Sequence, residues 1–455
     1  MKLTFMDMIE VMPKKLIFVV IPLILICIVF MCCAQPLYNI PMVETTKPTI
    51  VDKVEEDKNI LMFIMMSGGG TRAAKMSWEV MKFLESIPYT YNDSIKSTVA
   101  RQADYISGIS GGSFAAAAWC LYKDSMNAFD DRFLNQNVQL KLALLLLTSP
   151  SAWFSPYYNR INIASEYYDE KVFNGARFKD VPPHPVLWIN STHLALGSRF
   201  TYTDKFFTYL KSDLDAYWVG YATAASSAFP ILLDPITLKN YGKTLPDSML
   251  LKINEYKYAK MNSGNNIEKW LLCKRIEFFN DKSNKWNHMA DGGLVDNQGI
   301  QAILDEFETN GILNKIFNDR ENIPEHIVFI NINAGTLKDD KSCEKQVPPH
   351  VPAVINYTMT TSMDRLSGIR WEILKSKCKE SWEFLTMNGV NIQPMYCIEV
   401  NFRNIKNDSL RQACMDLPTS FYLNKKQRET IEVAVPILLK ENKEFNRFIN
   451  NIKIK

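Results

Sequence analysis

The sequence has few histidines, almost no net charge and no Cys-x-x-Cys pair. Its 455 residues include five histidines, and its formal net charge is only +3. Such a balance gives no general attraction to nucleic acid, and neither zinc-finger spacing nor a basic and aromatic stripe is present. We therefore predict no nucleic-acid partner. With 47% hydrophobic residues, the chain has the composition of a globular protein with a substantial core.

The nine cysteines include no Cys-x-x-Cys pair of the kind that indicates zinc. Three lie in or beside an N-terminal apolar run, and four lie in the last quarter of the chain: Cys343, Cys378, Cys397 and Cys414. Buried free thiols and disulfides fit this distribution equally well, and the sequence does not pair them. No pattern requires a metal or an organic cofactor, and we expect neither.

One long apolar run is present near the N-terminus. Residues 16–34 are 19 uncharged and almost wholly apolar residues that follow Lys14 and Lys15. This length is close to the ~20 residues that span a bilayer. The run lacks the small residues of a signal-peptide cleavage site, so an uncleaved anchor is favoured. Lipidation at Cys32 or Cys33 is the alternative.

This run divides the chain into four parts. We expect a cytoplasmic segment at residues 1–15, a single transmembrane anchor at 16–34, a tether at 35–58 and one domain at 59–455. The tether contains prolines and charges without periodicity. The two lysines before the anchor favour an inside N-terminus and a domain on the non-cytoplasmic side.

A nucleophile elbow is the strongest motif in the domain. Gly108-Ile109-Ser110-Gly111-Gly112 has the pattern Gly-x-Ser-x-Gly, in which small residues let a serine occupy a sharp turn between strand and helix. The preceding residues, Asp104 to Ser107, read as a strand, and Ser113 to Trp119 read as a helix. Ser110 is therefore the candidate nucleophile.

A glycine loop lies just upstream. A predicted strand, Ile60 to Met66, leads into Gly68-Gly69-Gly70-Thr71-Arg72 and then into a helix-period segment. Unpaired amides at such a helix start hold a phosphate or an oxyanion. A nucleotide P-loop ends in Gly-Lys-Ser/Thr, whereas this loop continues with Thr71-Arg72-Ala73, so an oxyanion hole is favoured.

The base that a serine nucleophile needs is not an evident histidine, because none of the five lies in a catalytic-looking motif. Asp291 does, since it ends a predicted strand and is followed by Gly292 and Gly293. The alternative is an Asx turn that closes a hairpin, a common role of Asp-Gly. The separate elbow and glycine loop favour a catalytic aspartate.

The rest of the domain alternates strands with helices, which predicts an α/β fold with a mostly parallel sheet covered on both faces. Further strands are predicted at residues 186–189, 275–279, 286–289 and 327–332. Phe129 to Thr148 reads as one long helix with an unusually apolar face. That face is either core or the entrance for a lipid.

Three blocks in this order resemble those of patatin-like phospholipases. They are the glycine loop at Gly68 to Arg72, the elbow around Ser110 and the Asp-Gly-Gly block at Asp291. A fourth block, residues 225–230, resembles a helix end that packs beside the family's active site. The resemblance covers about residues 59–333; one departure is Ala73, where the family usually has a third glycine.

The resemblance implies a three-layer α/β/α fold and an acyl hydrolase whose Ser-Asp dyad uses no catalytic histidine. The apolar run at residues 16–34 adds the membrane tether. Asp291 would take the proton of Ser110, and the amides of Gly68, Gly69, Gly70 and Gly111 would bind the oxyanion. Arg72, Gly108, Gly292 and Gly293 would support these groups, Arg72 either by holding the loop or by attracting a lipid phosphate. The implied partners are a membrane and a phospholipid or lysophospholipid substrate. A silent lipid-binding scaffold and a transacylase remain alternatives, and protein partners stay open.

Overall fold

The computed structural model describes residues 19–23, 25–26, 36–43, 59–91, 95–155, 157–230, 232–242, 267–281, 283–308, 323–336, 344, 346–390 and 392–452. Most of the expected anchor at 16–34, the second part of the expected tether at 44–58, and Cys343 lie outside these ranges. No helix built from the described residues combines the length and the apolar character needed to cross a membrane.

The central element is a mostly parallel sheet. Its strands are β1 (Ile60–Met66), β4 (Ala103–Ile109), β5 (Val186–His193), β6 (Ser198–Thr201), β7 (Ile236–Lys239), β8 (Trp286–Asp291), β9 (His326–Asn333) and β10 (Tyr396–Asn401); β2 (Pro88–Tyr91) and β3 (Ile95–Thr98) form a separate hairpin. Each strand is hydrogen-bonded to the next in the series β10-β9-β1-β4-β5-β8-β7, and β6 is also paired to β5. The five strands from β10 to β5 are parallel, and β6, β7 and β8 add antiparallel pairs.

Helices cover both faces of this sheet. They are α1 (Gly70–Glu85), α2 (Gly111–Tyr122), α3 (Val138–Thr148), α4 (Pro150–Phe154), α5 (Arg160–Tyr167), α6 (Asp204–Leu210), α7 (Val219–Ser226), α8 (Ile267–Asn280), α9 (Gln301–Glu308), α10 (Val351–Met387), α11 (Asp408–Met415), α12 (Lys425–Glu441) and α13 (Lys443–Ile452). Strand β1 shows why three layers form, since all seven of its residues are buried. Its even-numbered residues join the core with α1, α2 and α12, and its odd-numbered residues join a second core with α9 and α10. The predicted α/β/α fold is confirmed.

Two predicted elements differ from the structure. The single helix expected over Phe129 to Thr148 is broken: helical turns cover residues 127–134, and α3 starts afresh at Val138, where the Asn137 side chain accepts the N–H of Leu140 at 3.0 Å. The strand expected at residues 275–279 was wrong, since these residues belong to α8. Cys273, Ile276 and Phe279 are buried there at a spacing of three, which is helical.

The C-terminal region, whose relation to the family blocks the sequence left open, completes the fold. Strand β10 extends the sheet beside β9, the 37-residue helix α10 covers one face, and α12 packs on α1 on the other face. Cys378, Cys397 and Cys414 are free thiols in this region. The C-terminal region is therefore part of the same domain and contributes to its core.

The segment expected to tether the domain contacts it instead. Residues 36–43 lie against β7 and against the end of α6, and Asn39 among them is buried. A tether was expected over residues 35–58, but the first part of this segment, residues 36–43, packs against the domain.

Candidate active site

The register of β5 brings the candidate nucleophile and base together. Asn190 pairs with Ile109 of β4, and the next residue, Ser191, pairs with Asp291 of β8. Asn190 also pairs with β6 on its other edge, so β4 and β8 meet end to end along one edge of β5. Ser110, which follows Ile109, thereby lies next to an aspartate that is distant in sequence.

Ser110 has the backbone of a nucleophile elbow. Its φ of 46° and ψ of −121° lie in a region that non-glycine residues rarely adopt. The surrounding structure holds this conformation: the Ser110 N–H donates to Oγ of Ser226 at 2.9 Å, and Ser226 donates to the carbonyl of Asn190 at 2.6 Å. The Ser110 carbonyl accepts the Oγ of Ser113 at 2.6 Å. The hydroxyl is thus presented at the N-terminus of α2.

Asp291 is buried, and both its carboxyl and its backbone carbonyl accept hydrogen bonds. The residue is 2% exposed, its carboxyl accepts the N–H of Gly293 at 2.7 Å, and it lines the same cavity as Ser110. Its backbone carbonyl accepts Oγ1 of Thr192 at 2.8 Å. Burial raises the pKa of Asp291 to about 7, although the hydrogen bonds from Gly293 and Ser110 oppose the rise. The Asx turn and the catalytic interpretation therefore coexist in one residue.

The glycine loop lies against the elbow. Gly70 has a φ of 63°, and a Cβ on Gly111 would come within 1.9 Å of the Gly70 carbonyl oxygen. The N-termini of α1 and α2 therefore meet beside Ser110. First-turn amides have no partner within their own helix, so the amides of Gly69, Gly70 and Gly111 are positioned to receive negative charge.

Gly68 differs from the other three predicted oxyanion residues. Its N–H donates to the backbone carbonyl of Asn297 at 2.9 Å, so in this conformation the amide is not available to an oxyanion. A Cβ at Gly68 would lie 2.4 Å from Oδ1 of Asn297 and 3.3 Å from Cβ of Ser110. Gly68 therefore contributes close packing beside the nucleophile.

Arg72 supports the glycine loop through the hydrogen bonds of its buried side chain. Its side chain is 3% exposed, and Nη1 donates to the carbonyl of Leu417 at 2.8 Å and to Oγ1 of Thr336 at 3.1 Å. Burial lowers the pKa of Arg72 to about 10, while the nearby Asp364 opposes this shift. Of the two roles expected for this residue, these contacts match the first, since they connect the glycine loop to the C-terminal region.

The three supporting glycines lie where the elements touch. Gly108 lies against Ser113 of α2, Gly292 against the carbonyl of Asn190, and Gly293 beside the Asp291 carboxyl and Met363 of α10. Each position leaves less than 3.0 Å for an added Cβ. All three therefore keep the elbow and the aspartate block in close contact with neighbouring elements.

Ser110 and Asp291 open into a cavity of about 1060 Å³. Its apolar lining comes from α3, α5, α10 and the loops after α7 and before α12: Leu142, Ala143, Leu146, Ile163, Phe229, Leu232, Leu233, Met363 and Phe421. Four leucines of α3 are largely exposed beside it: Leu140, Leu144, Leu145 and Leu147. The apolar face predicted from the sequence is thus a cavity wall and an exposed rim rather than core.

None of the five histidines lines this cavity. His193 bonds Asn287 at 2.9 Å, and burial lowers its pKa; His184 lies 3.3 Å from Asp104. Within the described ranges, no group of three or more histidine, cysteine, aspartate and glutamate side chains is placed to hold a metal ion.

Three residues that the sequence did not single out complete the site: Ser226, Thr192 and Asn297. Ser226 belongs to the fourth family-like block, which was recognised without a role for this hydroxyl. The hydroxyl of Thr192 donates to the backbone carbonyl of Asp291. The backbone carbonyl of Asn297 accepts the N–H of Gly68. No sequence signal marks the latter two, because both contacts join segments that are far apart in the chain.

We expect Ser226→Ala to lower activity toward every substrate, because the buried N–H of Ser110 loses its acceptor and the elbow its support. An unsatisfied buried donor costs roughly 1–3 kcal/mol of stability. Activity and the denaturant midpoint should be measured together. Thr223→Val is the matched control, since that hydroxyl only bonds the carbonyl of Gly220 within α7. Equal activity loss in both variants would contradict the role of Ser226.

A mostly parallel sheet, a serine on a strained turn and two helix N-termini aimed at it define an α/β protein with a nucleophile elbow. The sequence model of the patatin-like phospholipase family matches residues 64–304, just over half of the chain. The chain belongs to this family, whose members are lipid acyl hydrolases. No curated protein sequence matches the chain significantly.

Proposed function

We propose that this protein is a membrane-tethered serine acyl hydrolase that cleaves carboxylic esters of phospholipids or lysophospholipids. The observation that carries the proposal is the position of Ser110 beside the buried carboxyl of Asp291, fixed by the register of β5, at the base of an apolar cavity. Membership of the patatin-like phospholipase family supports the lipid class of the substrate.

The first half-reaction forms an acyl-enzyme. The Oγ of Ser110 attacks the ester carbonyl carbon while its proton passes to the Asp291 carboxylate. The amides of Gly69, Gly70 and Gly111 stabilise the negative oxygen of the tetrahedral intermediate. Collapse breaks the ester C–O bond, and the departing alcohol oxygen takes the proton from Asp291. A carboxyl with a pKa of about 7 is suited to both transfers near neutral pH.

The second half-reaction releases the fatty acid. Water gives a proton to Asp291 and attacks the acyl carbon, and a second tetrahedral intermediate uses the same amides. Its collapse breaks the bond to Ser110, whose Oγ recovers the proton from Asp291. The free enzyme is restored without any further group.

The acyl chain of the substrate occupies the apolar part of the cavity. Side chains of α3, α5 and α10 line this part, which leads from Ser110 toward the exposed leucines of α3. A volume of about 1060 Å³ is at the upper end of ordinary small-molecule pockets. This size suits at least one long acyl chain.

We assign the anchor to residues 16–34, with the domain on the non-cytoplasmic side and lipidation at Cys32 or Cys33 as the alternative. The support is the 19-residue apolar run after two lysines. Mass spectrometry of the membrane-bound protein separates the two, since lipidation predicts a new acylated N-terminus at one of these cysteines.

A fluorophosphonate probe tests the hydrolase. The probe should label Ser110 in the full-length protein and leave the Ser110→Ala variant unlabelled, as shown by peptide mapping. A folded protein that reacts at no serine would instead support the silent scaffold. Labelled protein that transfers acyl groups to an added alcohol in preference to water would identify a transacylase.

We expect Leu146→Glu to lower hydrolysis of lipid in vesicles more than hydrolysis of a soluble short-chain ester. Leu146 lines the cavity, and a charge there opposes entry of an acyl chain. Thr148→Glu adds the same charge to the exposed end of α3 outside the cavity lining and is the matched control. Equal losses on both esters in Leu146→Glu would contradict an acyl-binding wall.

A further inference from the structure

Residues 36–43, which we call the strap, are attached to the hairpin of β7 and β8. The side chain of Asn39 pairs with the backbone of Lys239 twice: Nδ2 donates to the carbonyl at 2.9 Å, and Oδ1 accepts the N–H at 2.7 Å. The hydroxyl of Tyr241 donates to the Asn39 carbonyl at 2.7 Å. Asn39 is buried, so these bonds are shielded from water.

The other half of the strap pairs with the chain after α6. Pro41 forms an antiparallel bridge with Ser212. The N–H of Met42 donates to the Lys211 carbonyl at 2.9 Å, and the Ile40 carbonyl accepts the Ser212 hydroxyl at 2.6 Å. The strap is therefore held at two places and has a defined position on the domain.

The strap lies among exposed aromatic side chains and a lysine. The rings of Tyr38 and Trp286 are 5.1 Å apart, and the Lys239 ammonium lies 4.9 Å from the ring of Tyr241. Trp153 and Tyr157 are each 60% exposed, and the pKa of Tyr38 is raised, first by burial and second by the Tyr157 hydroxyl. Tryptophan, tyrosine and lysine together are typical of the membrane–water boundary.

This surface lies at the end of the molecule where the cavity is. Strand β8 runs from Trp286, beside the strap, to Asp291 in the site, a distance of roughly 17 Å at ~3.3 Å per residue. Trp286 also lies beyond the last residue of β5 that pairs with β8. On the other side, Nε1 of Trp153 donates to the carbonyl of Leu146, which lines the cavity.

We propose that the strap and its neighbours Trp153, Tyr157 and Trp286 form a bilayer-docking surface that orients the cavity toward the lipid. Only Gln35 separates the strap from the apolar run at 16–34. A chain that leaves a membrane at residue 34 therefore brings this surface directly to the headgroups. The inference rests on the membrane location in the proposed function and adds a fixed orientation in place of a free tether.

Two insertions in the full-length chain distinguish these arrangements. A 20-residue Gly/Ser segment, with an average reach of ~25 Å, is placed between Gln35 and Pro36, ahead of the strap. The matched variant carries the same segment between Thr46 and Lys47, after the strap. If the strap is docked on the membrane, only the insertion before it should free the surface from the bilayer. If residues 35–58 are a free tether, both insertions should have the same effect.

The measurement is hydroxyl-radical labelling on vesicles of diether phosphatidylcholine, which contains no ester to cleave. In the unmodified chain, we expect labelling of Trp153, Tyr157 and Trp286 to fall roughly fivefold relative to detergent, as for rings at headgroup level. Met387, which is 85% exposed and precedes the amino end of β10 on the opposite edge of the sheet, is the internal reference. The insertion before the strap should abolish the protection, and the insertion after it should preserve it.

Other outcomes overturn the inference in separate ways. Equal protection in both insertion variants would overturn the docked strap, and protection that rises with protein concentration in detergent would identify a second copy as the occupant. Failure to float with the vesicles would overturn the membrane location as well. Loss of all ester hydrolysis with normal footprints would contradict the proposed activity and leave the docking surface supported.

Discussion

Ser110→Ala, Asp291→Asn and the double variant should lose ester hydrolysis to nearly the same extent, on the order of 10⁴-fold or more. The two side chains act together in the proton transfers of the proposed reaction and lie side by side at the base of the cavity. Once either is removed, the other has no reaction to assist, so the losses do not multiply. The measurement is kcat/KM on a soluble short-chain ester, with circular dichroism as a check on folding.

A histidine scan is the control for this dyad. His184, His193, His288, His326 and His350 all lie outside the cavity lining, so replacing each in turn should leave substantial activity. Losses that multiply in the double variant, or one histidine whose loss equals that of Ser110→Ala, would contradict the Ser-Asp assignment.

Activity should rise with pH and level off near neutrality. Only the ionised Asp291 accepts the Ser110 proton, and burial raises the pKa of this carboxyl to about 7. Well below that pH, kcat/KM should rise about tenfold per pH unit, and the change from pH 5 to 7 should be roughly 50-fold, because half of the carboxyl is ionised at its pKa. A profile already flat from pH 5 upward would show that Asp291 is ionised there and would contradict the raised pKa.

The same carboxyl should make the folded state less stable as the pH rises. Its pKa is 3.8 without the fold and about 7 in the folded protein. Between these values the folded state binds more protons than the unfolded state, so stability falls as the pH rises from about 4 to about 7. Asp291→Asn, which cannot ionise, should therefore gain stability over the natural protein, up to ~4 kcal/mol above pH 7 and little below pH 4.

Urea unfolding of both proteins at several pH values checks this expectation. The difference in unfolding free energy should grow from pH 4 to 7 and then stay constant. A constant difference across this range would mean that Asp291 does not change its ionisation on folding. Both experiments report on the pKa of Asp291 in the folded protein, so the stability difference should level off near the pH at which activity is half-maximal.

The sequence by itself determined the local structural motifs of this protein. A glycine-flanked serine between a strand and a helix specifies an elbow through short-range sterics, and Ser110 has the strained backbone of such a turn. The strands that lead into the glycine loop and into the elbow were also predicted, the first of them from a run of apolar residues. Where only a short window was considered, as at residues 275–279, a helical spacing was mistaken for a strand.

The tertiary structure alone decided which of these motifs lie next to each other, which hydrogen bonds their residues form and how burial changes their pKa values. The register of β5 places Asp291 beside Ser110, and a hydrogen bond between two loops gives the amide of Gly68 to Asn297 rather than to an oxyanion. The raised pKa of Asp291 requires the surrounding core, and the docking of residues 36–43 requires the backbone of Lys239 and Ser212. The physical reason is range: sterics along a few residues are present in the sequence, whereas burial and hydrogen bonds between distant segments arise only once the sheet has set their distances.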